Sequence, residues 1–222
     1  MPEFSFSILK LLIGIALLFG GGELFIEGSI ILALILRIPQ LVIGLTVVSL
    51  GTSAPELFVS VGSVFKGSDA LAVSNVVGSN IFNVLMVLGA SAVVMPLKVK
   101  SRLVRRDVPL LLTISTAVWG IASTGRVTWQ AGLALLIALV INTIWEIRTV
   151  QEEPEGTKDA EPDINTESAN SGSIKAIFNL VFGIILLSYG SKVLIGGASE
   201  VAGLLGVSEA VIGLTIVSAG TS

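Results

Sequence analysis

Apolar segments that are long enough to cross a lipid bilayer follow one another along almost the whole chain. Each transmembrane helix needs about 20 residues to cross roughly 30 Å of hydrocarbon. Of the 222 residues, 53% are hydrophobic and 13% are charged, and the mean hydropathy is +0.93. A water-soluble domain is much less apolar than this. The sequence therefore predicts an all-α, polytopic (multi-pass) membrane protein, and it carries no basic footprint for binding nucleic acid.

Seven spans are predicted, and a polar interval separates the fifth from the sixth. They lie at about 6–26, 39–65, 69–95, 107–123, 128–147, 174–196 and from 206 to the last residue. The interval 151–173 carries seven acidic side chains and few large apolar ones, so it cannot bury a core. Its acids lack the spacing and the glycine of an EF-hand calcium loop. We interpret it as a solvated linker between two membrane halves, 1–150 and 174–222.

The chain repeats itself when it is aligned with itself at an offset of 169 residues. Residues 41–53 (LVIGLTVVSLGTS) then match residues 210–222 (AVIGLTIVSAGTS) at 10 of 13 positions. The same ungapped register pairs three glycines of the first span with three of the sixth: Gly14 with Gly183, Gly21 with Gly190, and Gly28 with Gly197. Shared apolar composition alone would not align Gly, Thr and Ser in this way. The sequence therefore predicts that two spans are duplicated.

The number of spans predicts that the second copy is inverted, because five spans separate the starts of the two copies. The basic residues predict the orientation. Three lie on the side of the N-terminus (Lys10, Lys66, Arg126) and nine on the other side (Arg37, Lys98, Lys100, Arg102, Arg105, Arg106, Arg148, Lys158, Lys175). By the positive-inside rule, the N-terminus lies outside the cytoplasm and the linker inside, in a cell (inner or plasma) membrane. Inverted repeats with a site at their interface are typical of transporters.

The second span combines a helix break with a carboxylate. Pro55 has no backbone donor, and its ring clashes with the carbonyl of Gly51. Irregular backbone at membrane depth is tolerated only where protein, water or an ion satisfies it. Four polar residues beside the break fall at i, i+3, i+4 and i+7, on one helix face. They are Ser49, Thr52, Ser53 and Glu56.

Glu56 needs a partner, because burying one charge at the bilayer centre costs roughly 2.5–3.5 kcal/mol even on the lenient insertion scale. No basic residue lies at matching depth in the second or third span. A bound cation is the predicted partner, and a protonated Glu56 that hydrogen-bonds between helices is the alternative. The candidate ligands are hard oxygens, which suit calcium or sodium rather than soft transition metals.

The third span carries a second polar stripe, with Asn75, Ser79 and Asn83 at four-residue spacing. Gly78 allows this helix to approach a neighbour closely. Small polar residues in membrane helices more often mediate packing than bind ions. The neighbouring Glu56 stripe favours the ion-binding interpretation here.

The motifs GTSAPE (51–56) and GSNIFN (78–83) resemble the first alpha repeat of the sodium/calcium exchanger family, within the calcium/cation antiporters. The resemblance covers the whole chain, including the linker and the start of the second alpha repeat, and places the first repeat within about 39–95. It implies a ten-helix fold of two inverted five-helix halves, of which about seven helices are present. It also implies exchange of Ca²⁺ for Na⁺ by alternating access, four cation positions at mid-membrane, no prosthetic group, and sliding of the first and sixth spans.

Carried over by the resemblance, Glu56 would be the carboxylate shared by calcium and sodium. The implied metal ligands are Ser49, Thr52, Ser53, Glu56, Ser79, Asn83, Ser218, Thr221 and Ser222. The second repeat stops at Ser222, before the proline–glutamate step that the family pattern requires. We therefore expect the chain as given to be an incomplete, non-transporting fragment, which needs the missing C-terminal helices or a complementary chain.

Sodium/calcium exchange has three alternatives. A calcium/proton antiporter would let Glu56 bind a proton in place of sodium, and potassium-dependent exchange is a further variant. A non-transporting membrane scaffold would explain the repeat but not the polar stripes. An intramembrane enzyme is not expected, because it would need a nucleophile, a metal or a second acid near Glu56, and no His, no Cys and no intramembrane Asp supports it.

Overall fold

The computed structural model describes residues 2–38, 42–99, 101, 103–151 and 172–222, and every regular element among them is helical. The α-helices are α1 (Pro2–Ile35), α2 (Ser49–Thr52), α3 (Ala54–Phe65), α4 (Asp69–Phe82), α5 (Gly89–Val94), α6 (Val108–Ser123), α7 (Trp129–Gln151), α8 (Gly172–Leu205), α9 (Glu209–Ile212) and α10 (Ser218–Thr221). Four π-helical stretches continue them: Ile43–Val48, Asn83–Leu88, Leu103–Asp107 and Gly213–Val217. The all-α prediction is confirmed.

Four of the described helices are long and apolar enough to cross a bilayer. A fifth span is formed if Thr46–Thr52 and Ala54–Phe65, which meet at a bend of 52°, are taken as one broken helix. All seven predicted spans contain described helix. In two of them, 107–123 and the span from 206, the helices are shorter than 18 residues: α6 and the segment 209–221. Most of the predicted linker, residues 152–171, lies outside the described residues.

The chain forms two compact units. One comprises residues 1–90 and 158–222, and the other comprises residues 91–157. The second unit contains the α6/α7 hairpin, in which Arg106 Nη1 donates to Glu146 Oε2 at 2.5 Å. The same guanidinium lies 4.3 Å from the centre of the Trp145 ring. The predicted division into halves at 151–173 stays a prediction.

Helices α1 and α8 pack against each other in opposite directions, through the glycines of the repeat. A Cβ added to Gly14 would lie 2.7 Å from the backbone nitrogen of Leu194, and one added to Gly183 would lie 2.7 Å from that of Phe25. At the 169-residue offset, Gly183 is the equivalent of Gly14 and Leu194 is the equivalent of Phe25. The two contacts therefore join the same pair of repeat positions, with the two repeats exchanged. Gly21 and Gly190 form a second such pair of contacts, against Leu187 and Leu18. The inversion predicted by counting spans is therefore confirmed in the packing.

We call this glycine-lined interface between α1 and α8 the glycine seam. Two interhelical ion pairs lie at its ends. Lys10 pairs with Glu200, which also accepts a hydrogen bond from Ser7 Oγ at 2.8 Å. At the other end, Lys175 Nζ lies 2.7 Å from Glu27 Oε1. Seventeen residues separate Lys10 from Glu27, which corresponds to about 26 Å of helix. The charged pairs thus lie at a spacing close to the hydrocarbon thickness of a bilayer.

Helices α1 and α8 are longer than the predicted spans 6–26 and 174–196, because the charged residues near the predicted ends lie at exposed or half-buried positions and do not interrupt the backbone. The helices end instead at left-handed residues, Arg37 (φ 57°) and Gly206 (φ 65°), which are equivalent in the repeat. In both copies the next residue donates its N–H to the carbonyl five residues earlier. This is a Schellman C-cap, which a left-handed residue makes possible.

Candidate cation site

The candidate site lies at the helix break predicted around Pro55. The π-helical turn Ile43–Val48 leads into α2, and the chain leaves helical geometry at Ser53 (φ −92°, ψ 5°) before α3 begins. Pro55 falls in the first turn of α3, where a missing N–H breaks no intrahelical hydrogen bond. The break therefore starts a new helix at an angle to the old one, with Glu56 in its first turn.

The second copy of the motif has the same local structure. Its π-helical turn, Gly213–Val217, falls one residue short of the full equivalent of Ile43–Val48. Thr46 and Thr215 each donate a hydroxyl proton to the carbonyl four residues earlier, at 2.6 and 2.7 Å. Thr52 and Thr221 each donate to the carbonyl three residues earlier, at 3.0 and 3.3 Å. Closely similar sequences thus adopt closely similar local structures, and π-helical turns of this kind are frequent at functional sites.

Glu56 is half-buried and faces the second copy of the motif. The side chain of Ser222 interacts with its carboxylate. The other carboxylate oxygen, Oε2, is buried without a hydrogen-bond partner among the described residues. A buried carboxylate oxygen without a partner is costly. An added cation or water at this position would satisfy it.

Asn75, on α4, connects the two copies of the motif. Its Nδ2 donates to the backbone carbonyl of Glu56 at 3.3 Å and to Ser60 Oγ at 3.0 Å. Its Oδ1 accepts from Thr221 Oγ1 at 3.4 Å, and its backbone carbonyl accepts from Ser218 Oγ at 3.4 Å. The side chain is fully buried. One amide therefore contacts α3 of the first repeat and α10 of the second.

The hydroxyls of Ser218 and Thr221 are oriented by acceptors. Ser218 Oγ lies near the carbonyls of Gly213 and Asn75, and Thr221 Oγ1 lies near the Ser218 carbonyl and Asn75 Oδ1. Because these neighbours can only accept, each hydroxyl proton is directed toward the protein. The hydroxyl lone pairs remain available, and they are the part of a hydroxyl that binds a cation.

The structure brings together four of the predicted ligands, Glu56, Ser218, Thr221 and Ser222, through the contacts described above. Ser79 is buried on α4, and its hydroxyl donates to the Val76 carbonyl at 3.1 Å. The others are exposed, and no described hydrogen bond joins them to Glu56: Ser49, Thr52, Ser53 and Asn83. All nine assignments stay predictions.

Asn75 and Ser60 are contact residues that the predicted ligand set does not include. Asn75 belongs to the same four-residue stripe as Ser79, and Ser60 lies one helical turn after Glu56, so the spacing already places both on the polar faces. The spacing does not predict the hydrogen bond between Asn75 and Ser60. That contact depends on how α3 packs against α4.

One carboxylate and neutral oxygens make up the site as described. Among the described residues, no three Asp, Glu, His or Cys side chains cluster in a way that could hold a metal ion. A single carboxylate balances the charge of a sodium ion, but only half that of a calcium ion. In a low-dielectric site the remaining charge is expensive, so calcium needs a further acidic ligand.

Comparison with known proteins gives consistent matches along the chain. The family model for the sodium/calcium exchanger protein matches residues 6–148 and 175–222. Inner membrane protein YrbG of Escherichia coli (strain K12) is 31% identical over 214 residues, covering 96% of this chain and 66% of that protein. The putative antiporter CaxA of Alkalimonas amylolytica is 34% identical over 218 residues, covering 95% of this chain and 66% of that protein. The chain thus spans about two thirds of the length of these relatives.

Solved structures give the same match. The sodium/calcium exchanger from Methanococcus jannaschii is 30% identical to this chain, with a TM-score of 0.54. The match covers 98% of this chain and 68% of that structure. A further structure of a sodium-calcium exchanger, soaked with Na⁺ and Sr²⁺, matches with a TM-score of 0.55 and 30% identity.

Proposed function

Because the chain belongs to the sodium/calcium exchanger protein family, we propose that it forms the larger part of an antiporter that exchanges calcium for sodium across a membrane by alternating access. The resemblance inferred from GTSAPE and GSNIFN is thereby confirmed at the level of the family. The relatives whose names state an activity are exchangers or antiporters. The observation that best supports this ion assignment is the buried Oε2 of Glu56, which has no hydrogen-bond partner among the described residues, in a carboxylate that interacts with the side chain of Ser222.

Coupling follows from competition for one carboxylate. Sodium and calcium both prefer oxygen ligands, and both would use the Glu56 carboxylate with the hydroxyls of Thr221 and Ser222. Sodium and calcium together would place three positive charges in a low-dielectric site against the single charge of Glu56, or against two negative charges once a second acidic ligand is present. The two ions therefore exclude each other, and an ion must leave before the other binds. Mutual exclusion gives exchange when, in addition, the α1/α8 pair slides only with an ion bound.

Calcium/proton exchange is the alternative within the same family, with Glu56 carrying the proton. A proton on Oε2 would add a buried donor that needs an acceptor of its own, at an oxygen that has no hydrogen-bond partner among the described residues. A sodium ion would satisfy the same oxygen without creating a new donor. This argument favours sodium as the coupling ion.

The proposal includes a second acidic ligand from outside the present chain. The 169-residue offset makes the third position beyond Ser222 equivalent to Glu56. A carboxylate there, supplied by further C-terminal helices or by a complementary chain, would complete the charge that calcium requires. We also propose that the protein lies in the cell membrane with its N-terminus outside and the 151–173 linker in the cytoplasm, as the distribution of basic residues favours.

The test is calcium uptake into sodium-loaded vesicles that contain the chain with its completing segment. We expect uptake to require the outward sodium gradient and to be lost in Glu56→Gln. The matched control is Glu23→Gln, the same chemical change at an exposed position of α1, which should leave uptake unchanged. Uptake that runs equally well on a proton gradient without sodium would refute the sodium assignment. Unchanged uptake in Glu56→Gln would refute the site.

A further inference from the structure

We propose that Asn75 is a positioning residue that holds the two repeats at a fixed separation across the cation site and does not itself bind the cation. The contacts of Asn75 with the two repeats are observed in the structure and do not depend on the proposed function. Its effect on ion binding rests on the proposed function. The inference has three supports: the burial of the side chain, the use of its donors, and the close packing around it.

Both protons of the Asn75 amide nitrogen are used within the protein. One is directed to the backbone carbonyl of Glu56 and the other to Ser60 Oγ, at 3.3 and 3.0 Å. The two acceptors lie four residues apart on α3, so the amide spans one turn of the helix that carries the carboxylate. With no exposed surface, the side chain is enclosed by protein, and these bonds fix the orientation of the amide, including that of its oxygen.

The oxygen of the same amide faces the other repeat. Oδ1 accepts from Thr221 Oγ1, and the Asn75 backbone carbonyl accepts from Ser218 Oγ, both at 3.4 Å. A displacement of the Glu56 backbone therefore pulls on the group that orients the Thr221 hydroxyl. In this way Asn75 links the geometry of the first half-site to that of the second.

The packing around Asn75 is tight enough to make this link stiff. A Cβ added to Gly78 would lie 2.7 Å from the Leu214 carbonyl oxygen, and one added to Gly213 would lie 3.1 Å from that of Leu71. The backbones of α4 and the second repeat are thus in direct contact on both sides of Asn75. Protein interiors packed this closely transmit displacement rather than absorbing it.

The absence of cysteine from the chain allows a direct measurement of the separation between the repeats. Spin labels are placed on Leu57→Cys, beside Glu56, and on Ala219→Cys in α10, both at exposed positions. The dipolar coupling between the labels is measured in the full 222-residue chain in detergent. The background variants are Asn75→Leu, which keeps the size but removes every side-chain hydrogen bond, and the control Asn80→Leu.

Asn80 is a matched control because it lies on the same helix, is exposed, and donates only to the Val76 carbonyl of that helix. We expect Asn75→Leu to widen the distribution of label distances at least twofold, and Asn80→Leu to leave it unchanged. If Asn75→Leu does not fold, Ser60→Ala removes one of the acceptors, and we expect a smaller change in the same direction. An unchanged distribution in both Asn75→Leu and Ser60→Ala would overturn the inference.

Calcium and sodium titrations of the same labelled chains, now carrying the completing segment that the proposed function requires, separate this inference from the proposed function. If Asn75→Leu weakens calcium binding tenfold but leaves the distance between the labels unaltered, Asn75 is a ligand, contrary to the inference. If neither ion affects the parent chain while Asn75→Leu still widens the distribution, the positioning role is supported and the proposed function fails in this chain.

Discussion

The glycine seam between α1 and α8 allows a quantitative test of the inverted packing. The perturbation is Gly14→Ala, which adds one methyl group facing the backbone of α8. That carbon would lie 2.7 Å from the Leu194 nitrogen, whereas ordinary contact begins at 3.4 Å. The helices would have to separate by about 0.7 Å at this point, because a backbone atom cannot rotate away. A gap of this size forfeits a quarter to a half of the dispersion energy of the neighbouring contacts.

The expected magnitude is set by comparison with Gly20→Ala in the same helix, where an added Cβ meets nothing within 4 Å. Alanine is favoured over glycine in a helix by up to about 1 kcal/mol, so Gly20→Ala should stabilise the protein slightly. Gly14→Ala gains the same propensity but suffers overpacking of typically 1–3 kcal/mol. The two variants should therefore differ by about 2 kcal/mol in free energy of unfolding, a factor of roughly 30 in the folded-to-unfolded ratio.

The assay is unfolding in increasing SDS, followed by far-UV circular dichroism. Tryptophan fluorescence is unsuitable, because all three tryptophans lie between residues 103 and 151, outside the unit that contains the seam. Gly183→Ala should cost as much as Gly14→Ala, since its Cβ would lie 2.7 Å from the Phe25 nitrogen. Equal stabilities for Gly14→Ala and Gly20→Ala would refute the close packing. A large difference between Gly14→Ala and Gly183→Ala would refute its symmetry.

Two further predictions concern helix ends. Gly206→Ala should lower the free energy of unfolding by about 1 kcal/mol, because its φ of 65° is strained for a residue with a side chain. Arg37→Gly at the equivalent position should be neutral or slightly stabilising. The thermal midpoints of the two variants test both expectations. At Lys66, just beyond α3, burial and then the charge of Lys192 lower the pKa below its ordinary value of 10.5. Its unfolded state thus binds more protons, so stability should rise as pH increases between the lowered pKa and 10.5, and Lys66→Met should flatten this rise in the thermal midpoint.

The helical membrane fold and its duplication could be predicted from the sequence because they depend on features that are local or additive. Apolar length predicts each span, and the shared offset of Gly14 and Gly183 predicts both the duplication and the residues at which the two copies meet. Glu56 could be singled out because a carboxylate in an apolar segment is costly wherever the helices pack. These arguments need no knowledge of tertiary contacts.

The lengths of α1 and α8 were harder to predict, because a helix ends where its backbone changes and not where its side chains become charged. Gly206 is a recognisable C-cap, but Arg37 occupies the same left-handed conformation without being glycine. The four-residue spacing places Asn75 on the polar face of its helix. Its contacts with both repeats could not be predicted, because they depend on where α3 and α10 pack around it. Sequence spacing identifies a polar stripe but does not identify the atoms that the stripe meets.

The exchange symmetry of the glycine contacts makes the α1/α8 seam an isologous interface, the type found in two-fold homodimers. The face of α1 that receives α8 is thus complementary to a second copy of α1: Gly14 of one copy would meet Phe25 of the other, as Gly183 meets Phe25 here. A chain limited to the first membrane half would carry a self-associating surface. Joining the two halves covalently raises their effective concentration, so the pairing becomes intramolecular and independent of protein concentration.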